Sequence, residues 1–275
     1  MHDEPLRDLL DFAVDIAWRA GRLTLAHFQT GVTVETKSDE SPVTLADREA
    51  ERLLRAAIEA RFPSDGIVGE ELGEVRAGAR RRWILDPIDG TRSFIHGVPL
   101  YGVLVALEDA GEPVLGVAHF PALGETVYAA RGEGCWWDGR RAAVSTTARL
   151  ADALVLTSDG RPLAIADPAR TAAWDRLRAA AGTARTWGDA YGYALVATGR
   201  AEAMLDPVLA PWDTAPLLPI IEEAGGVFTD LDGRRTHLGG HGVATNAALA
   251  EAVRAVLRGD APAHAGQGRA DAKEE

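Results

Sequence analysis

The stretch from Trp83 to Phe94, WILDPIDGTRSF, sets Asp86 and Asp89 three residues apart around a proline, at the end of a hydrophobic run. Like charges held side by side repel, so the pattern has two readings. Asp and Gly are ordinary turn formers, and one Asp-Pro-x-Asp-Gly by itself is more often a loop than a site. In the other reading a cation sits there. Asp86 and Asp89 then point inward together, the Ile88 carbonyl between them supplies a further oxygen, and Pro87 stiffens the turn.

Three more acids, Asp47, Glu70 and Asp213, stand at boundaries between expected elements, where a side chain can be presented to a cleft. Each also has a structural reading. Asp47 follows Thr44 by three residues and fits the acidic half of a capping box. Asp213 fits the first turn of a helix, where the dipole favours it. Glu70, beside Glu71, fits a solvated surface carboxylate. Taken together they say more, because carboxylates converging from separate elements are costly unless divalent cations neutralise them. Oxygen-only ligation without His or Cys clusters suits Mg²⁺ or Mn²⁺ and argues against zinc.

Gly90-Thr91-Arg92 opens a helical turn directly after these acids. Exposed amides at such a start form an anion site, and glycine lets a phosphate oxygen approach the main chain. Metal carboxylates beside an anion cradle point to metal-assisted phosphoryl transfer. Water as acceptor needs a hydroxyl and a carboxylate to orient and deprotonate it, and Thr91 and Asp47 are the candidate pair.

The elements that must position these residues are legible in outline. Apolar residues from Leu6 to Phe28 recur at three-and-four spacing and predict a helix. Residues 32–37 alternate like a strand, and a second helix opens near Thr44 and closes before Pro63. An apolar run ending at Gly69, the strand Trp83–Leu85, the run Tyr101–Leu107 and the segments 113–120 and 125–130 are spaced as an antiparallel meander. The first half, 1–150, therefore reads as two helices on an antiparallel sheet carrying the metal and phosphate site. From 151 to 258 the pattern becomes a mixed α/β layer: strands at 153–157, 201–205 and 227–230, helices at 168–181, 189–198, 213–224 and 247–257. The tail 259–275 has no large apolar residue and is expected to be disordered.

Composition narrows the partners. Hydrophobic content of 47% and charged content of 25% over 275 residues is the balance of a soluble globular protein. A net charge of −12 disfavours nucleic acid and anionic membranes, yet leaves a phosphorylated substrate open, since bound metal reverses the local sign. Cys135 is the single cysteine, which excludes a disulfide framework. With no secretory signal and no apolar stretch long enough to cross a bilayer, the expected compartment is the cytoplasm.

Gly69-Glu-Glu71, Asp86-Pro-Ile-Asp-Gly-Thr91, the segment 212–226 (WDTAPLLPIIEEAGG) and TKSDESPVTLAD upstream, in that spacing, resemble the inositol monophosphatase superfamily of Mg²⁺-dependent, lithium-sensitive phosphatases. The resemblance runs from about Leu6 to Leu257. It implies a layered α-β-α-β-α sandwich, a homodimer, and two or three Mg²⁺ ions, with Mn²⁺ as a possible substitute. Glu70, Asp86, the Ile88 carbonyl, Asp89 and Asp213 are the implied ligands. Thr91, polarised by Asp47, is implied in activating water, with Glu70 counted among the catalytic groups as well. Lys37 matches a basic position in a loop over the site. Gly90, Thr91, Arg92 and Asp213 fall at implied substrate contacts.

Within the superfamily, residues 185–207 (RTWGDAYGYALVATGRAEAMLDP) resemble the histidinol-phosphate phosphatase branch, where a Trp-Gly-Asp run precedes the helix and a basic residue, here Arg92, follows the threonine. The implied substrate is L-histidinol phosphate, with inositol 1-phosphate or a broader set of small phosphate esters as the alternative. Histidinol carries an amine and an imidazole, so carboxylates near the leaving group would select it. Gly188, Asp189 and Asp206 are the candidates. Asp206 lies seven residues before Asp213, where the family places a substrate-contacting acid, while Asp189 also reads as an N-cap. Pro216, where the family commonly has a small residue, is tolerable in a first helical turn. The contrasting class is a catalytically silent metal- or phosphate-binding regulator. The complete set of proposed ligands argues against it, and phosphate release with Mg²⁺ separates the two.

Overall fold

The computed structural model describes residues 4–31, 33–36, 42–159 and 168–260. Lys37 and the tail beyond Asp260 lie outside them. The chain opens with helix α1 (Leu6–His27), whose buried face is Leu9, Leu10, Ala13, Ile16, Ala17 and Ala20, as its periodicity predicts. Strands β1 (Val34–Thr36) and β2 (Pro42–Thr44) pair antiparallel as a two-stranded ribbon, and β2 runs straight into α2 (Leu45–Arg61). Thr44 caps α2: its hydroxyl oxygen accepts from the Ala46 amide at 3.2 Å, and its own N–H and O–H donate to Asp47 Oδ2 at 2.8 and 2.5 Å. Such a cap is worth about 1 kcal/mol.

Strands β3 (Gly66–Gly69), β4 (Gly73–Val75), β5 (Arg81–Asp89), β6 (Gly102–Asp109), β7 (Glu112–Phe120), β8 (Glu125–Ala130), β9 (Gly134–Trp137) and β10 (Arg140–Arg141) make one sheet in the order β10-β9-β8-β7-β6-β5-β3-β4. The short helix α3 (Thr91–Ile95) links β5 to β6. From β5 to β10 the sheet is the expected antiparallel meander. It departs at β3, which pairs parallel with β5 because the hairpin to β4 occupies the sheet edge and returns the chain to the other side of β3.

After a single 3₁₀ turn (Leu150–Asp152), the second half builds β11 (Leu154–Leu156), α4 (Pro168–Ala180), β12 (Thr183–Arg185), α5 (Ala190–Ala197), β13 (Ala203–Asp206), α6 (Pro211–Glu223), β14 (Gly226–Thr229), β15 (Gly242–Asn246) and α7 (Ala250–Arg258). Its sheet has the order β12-β11-β13-β15-β14, parallel at β12, β11 and β13 and antiparallel through β15. Strands β12 and β15 carry no sequence signal: Gly-Val-Ala-Thr-Asn lacks the large alternating apolar residues that mark a strand, although all five residues are buried.

Three apolar clusters define the layers. Leu10, Ile16, Leu54, Trp83 and Val117 join α1 and α2 to one face of the large sheet. Leu104, Phe120, Tyr193, Leu217, Ile221 and Phe228 seat α5 and α6 between the two sheets. Trp174, Leu177, Val253 and Leu205 close the far side with α4 and α7. The result is the α-β-α-β-α sandwich. Pro216 lies in the second turn of α6, because the helix starts at Pro211, earlier than expected. Its carbonyl packs on β7 where a Cβ on Gly116 would come within 2.0 Å of it. No described helix is long and apolar enough to cross a membrane.

Candidate active site and metal centre

A cleft of about 640 Å³ is lined by residues at the C-terminal ends of β3 and β5, in the segment after β11 and at the N-terminal ends of α3, α5 and α6. Carboxylate oxygens of Asp86, Asp89 and Asp213 lie within 4.8 Å of each other there. In a regular strand, residues three apart point to opposite faces. Between Asp86, opposite Leu104, and Asp89, opposite Gly102, β5 spends three steps against two on β6. That bulge, at a proline with no N–H to give the ladder, turns both carboxylates to the same side. Asp213 reaches them from the first turn of α6, where its Oδ2 accepts from the Ala210 amide at 2.7 Å.

The three acids are held against their preferred ionisation. Burial, then the charges of Glu70, Asp89 and Asp213, push Asp86 well above the usual carboxylate range. Burial, then Asp189 and Asp213, do the same to Asp89, and burial raises Asp213 to about 7. Hydrogen bonds to Asp86 Oδ1 from the Ile88 amide (3.0 Å) and to Asp89 Oδ2 from the Ala190 amide (2.7 Å) do not offset this. Buried, mutually repelling, oxygen-only donors are the set a hard divalent cation fits. Ile88 lines the same cleft, and its carbonyl accepts from Thr91 Oγ1 at 3.1 Å.

Glu70 lines the cleft from the turn after β3, its amide bonded to the Leu85 carbonyl at 3.2 Å. That turn is seated on two residues of α2 that sequence reasoning passed over. Fully buried Glu51 accepts from the amides of Glu71 (2.7 Å) and Leu72 (3.2 Å) and from Arg55 Nε (2.7 Å), while Arg55 also donates to the Gly73 carbonyl. A Cβ on Gly69 would come within 2.1 Å of Glu51 Oε1. The available signal was Glu51's position four residues after Asp47, on the same helix face.

Asp47 is fully buried and caps α2, as its structural reading has it. No hydrogen bond joins it to Thr91, whose hydroxyl goes to the Ile88 carbonyl instead. Its other oxygen, Oδ1, is buried with no hydrogen-bond partner, and burial, with a smaller contribution from the Glu70 charge, raises its pKa.

Gly90, Arg92, Asp189 and two residues unmarked by the sequence, Ser158 and Asp159, line the same cleft. Gly90 has φ 78°, and a Cβ there would lie 2.7 Å from Asp189 Oδ2. Asp189 precedes α5 without a side-chain capping bond, so the N-cap reading fails in its side-chain part. Gly188 packs on Ser158, where a Cβ would fall 2.3 Å from the Ser158 Cα. Asp206 does not reach the cleft: it is 1% exposed and gives Oδ1 to the Ser158 amide at 2.8 Å, leaving Oδ2 unpartnered. Burial lifts it to about 7.

The family model for the inositol monophosphatase family matches residues 5–259. A histidinol-phosphatase of Chlorobaculum parvum is 47% identical over 91% of this chain and 97% of its own. A histidinol-phosphatase of Mycobacterium tuberculosis is 38% identical over 90% of this chain and 96% of its own. Among solved structures, the extragenic suppressor protein suhB of Bartonella henselae superposes with a TM-score of 0.85 at 29% identity, covering 91% of this chain and 98% of that one.

Proposed function

Because the chain belongs to the inositol monophosphatase family, we propose that its acidic centre hydrolyses L-histidinol phosphate to histidinol and phosphate. Asp86, Asp89, Asp213, Glu70 and the Ile88 carbonyl would hold the cations, for which Mg²⁺ is the reading, two or three per site. Bound there, divalent cations offset the phosphate charge and make water more acidic. The turn 90–92 receives the phosphate at Gly90, where no side chain blocks the main chain. The Thr91 hydroxyl donates a hydrogen bond to the Ile88 carbonyl, so its oxygen is left to accept from a water and orient it. Asp47, with Oδ1 buried and unpartnered and its pKa raised, has the properties of a proton acceptor in that step.

Asp189 carries the choice of ester: its carboxyl, raised by burial, is set against Gly90 beside the phosphate cradle, where a cationic leaving group would favour its ionised form. A neutral polyol gains little from it, whereas the histidinol amine gains a charge-assisted hydrogen bond. The two histidinol-phosphatase relatives support the same reading. On it, the assembly is a homodimer and the compartment the cytoplasm.

Phosphate release measured on histidinol phosphate, inositol 1-phosphate and fructose 1,6-bisphosphate, with Mg²⁺ and with chelator, tests the proposal. The highest kcat/KM is expected for histidinol phosphate, and chelator should abolish all release. A preference for either other ester removes the substrate reading, and activity in chelator removes the metal.

A further inference from the structure

Asp189 holds φ 51° and ψ −154°, a region glycine occupies freely and side-chain-bearing residues almost never do. The peptide planes on both sides of its Cα are fixed. The Asp189 N–H donates to Ser158 Oγ at 2.8 Å, which sets the plane before it. The next N–H, of Ala190, donates to Asp89 Oδ2 at 2.7 Å, and the Asp189 carbonyl accepts from the Gly192 amide at 3.1 Å, which set the plane after it. Two rigid planes at fixed orientations leave φ and ψ no freedom. Ser158 is itself anchored, its amide bonded to buried Asp206 at 2.8 Å, and Gly188 allows the turn to lie directly on it.

From this geometry we infer that Ser158 is a positioning residue for substrate selection: by accepting the Asp189 amide it holds the strained turn that keeps the Asp189 carboxylate against Gly90. The inference rests on the reading of Asp189 as the contact for the cationic leaving group. It also assigns Asp206 a place behind Ser158, supporting the wall from beneath. The plane after Asp189 is tied to a metal-centre acid and cannot be released without damage to that centre. Ser158 is the tie that can be cut separately. Without its hydroxyl the 188–189 peptide can rotate, Asp189 relaxes toward an ordinary conformation, and its carboxylate leaves the cradle.

Two cycles test this. In the first, kcat/KM for histidinol phosphate and for inositol 1-phosphate is measured for the wild type, Ser158→Ala, Asp189→Asn and the double variant. Ser158→Ala should lower the histidinol-to-inositol ratio about tenfold, the scale of one charge-assisted contact. In the Asp189→Asn background it should lower the ratio no further. Equal slowing of both esters, or a second drop of the same size in the double variant, overturns the inference. The second cycle reads melting temperature and needs no substrate. Asp189→Gly should raise Tm in the wild type, because glycine carries no strain there, and that gain should vanish in Ser158→Ala, where Asp189 has already relaxed. Equal gains in both backgrounds overturn the clamp. Wild-type indifference between the esters would remove the substrate reading alone, since the melting cycle would still decide whether Ser158 imposes the strain.

Discussion

Asp213 shows how one residue serves two opposed requirements. Its carboxylate caps α6 through the Ala210 amide and completes the acidic triad, and burial raises it to about 7. Asparagine keeps the volume and an oxygen for the cap while removing a charge that repels Asp86 and Asp89. Asp213→Asn is therefore expected to melt higher than the wild type in chelator at pH 8, and to lose turnover by at least about a hundredfold in saturating Mg²⁺, as removal of several kcal/mol of charge stabilisation requires. Thermal melting and phosphate release check the two halves separately, and near-normal turnover would take Asp213 out of the ligand set. Asp189 makes a related compromise, keeping a carboxylate where glycine fits best, at about 1–3 kcal/mol of backbone strain.

At the scale of elements, the site depends on how loops are seated. Helix α2 presents Asp47 and Glu51 one turn apart, both fully buried, and they do different work. Glu51 is fully engaged by Arg55 and two amides of the turn 69–73, so it sets where Glu70 stands. Glu51→Gln loses the ion pair and one acceptor oxygen, which loosens that turn. Mg²⁺ affinity by calorimetry should weaken by about 10- to 100-fold, the usual cost of losing a group that supports a ligand. The ratio of the two esters, which we assign to Asp189, should stay the same, because Glu51 makes no hydrogen bond to that turn. Unchanged Mg²⁺ affinity would mean that the bonds of β3 and β4 alone seat Glu70.

Across the whole molecule, the acidic centre governs stability against pH. Asp86, Asp89, Asp206 and Asp213 have folded pKa values above the ordinary 3.8. Each stabilises the fold fully below that value and loses its contribution as pH rises through the folded pKa, about 7 for Asp206 and Asp213. His119 runs the other way: burial lowers it from 6.5 to about 4, so its contribution is present above 6.5 and fades as pH falls. Asp47 and Asp189 are raised by burial as well, and burial lowers His237 like His119, so among the described residues six carboxylates outweigh two imidazoles between pH 5.5 and 8.5. In chelator, Tm should fall over that range, and saturating Mg²⁺ should flatten or reverse the fall, because cations bind the ionised site. A chelated protein that melts higher at pH 8.5 would show that the acids are not held against their ionisation.

What the sequence determined by itself was chemistry carried by consecutive residues: the acids of the DPIDGT stretch, the Thr44–Asp47 cap, and the periodicity of α1, α2 and the meander β5–β8. These follow from bonds and spacings a few residues long. Tertiary structure decided everything that depends on distant segments meeting. Asp86 and Asp89 share a side only because β5 bulges at Pro87 where it pairs with β6. Asp206 reads like a substrate contact from its spacing to Asp213, yet β13 buries it behind Ser158. Strand β15 exists because β13 and β14 flank it, and its own side chains do not announce it. The turn at 188–190 joins Ser158 to Asp189 across 31 residues and Ala190 to Asp89 across 101, separations over which no local pattern operates. Packing of the two sheets about α5 and α6 closes those distances, and so settles which acids face the cleft and which only hold it in place.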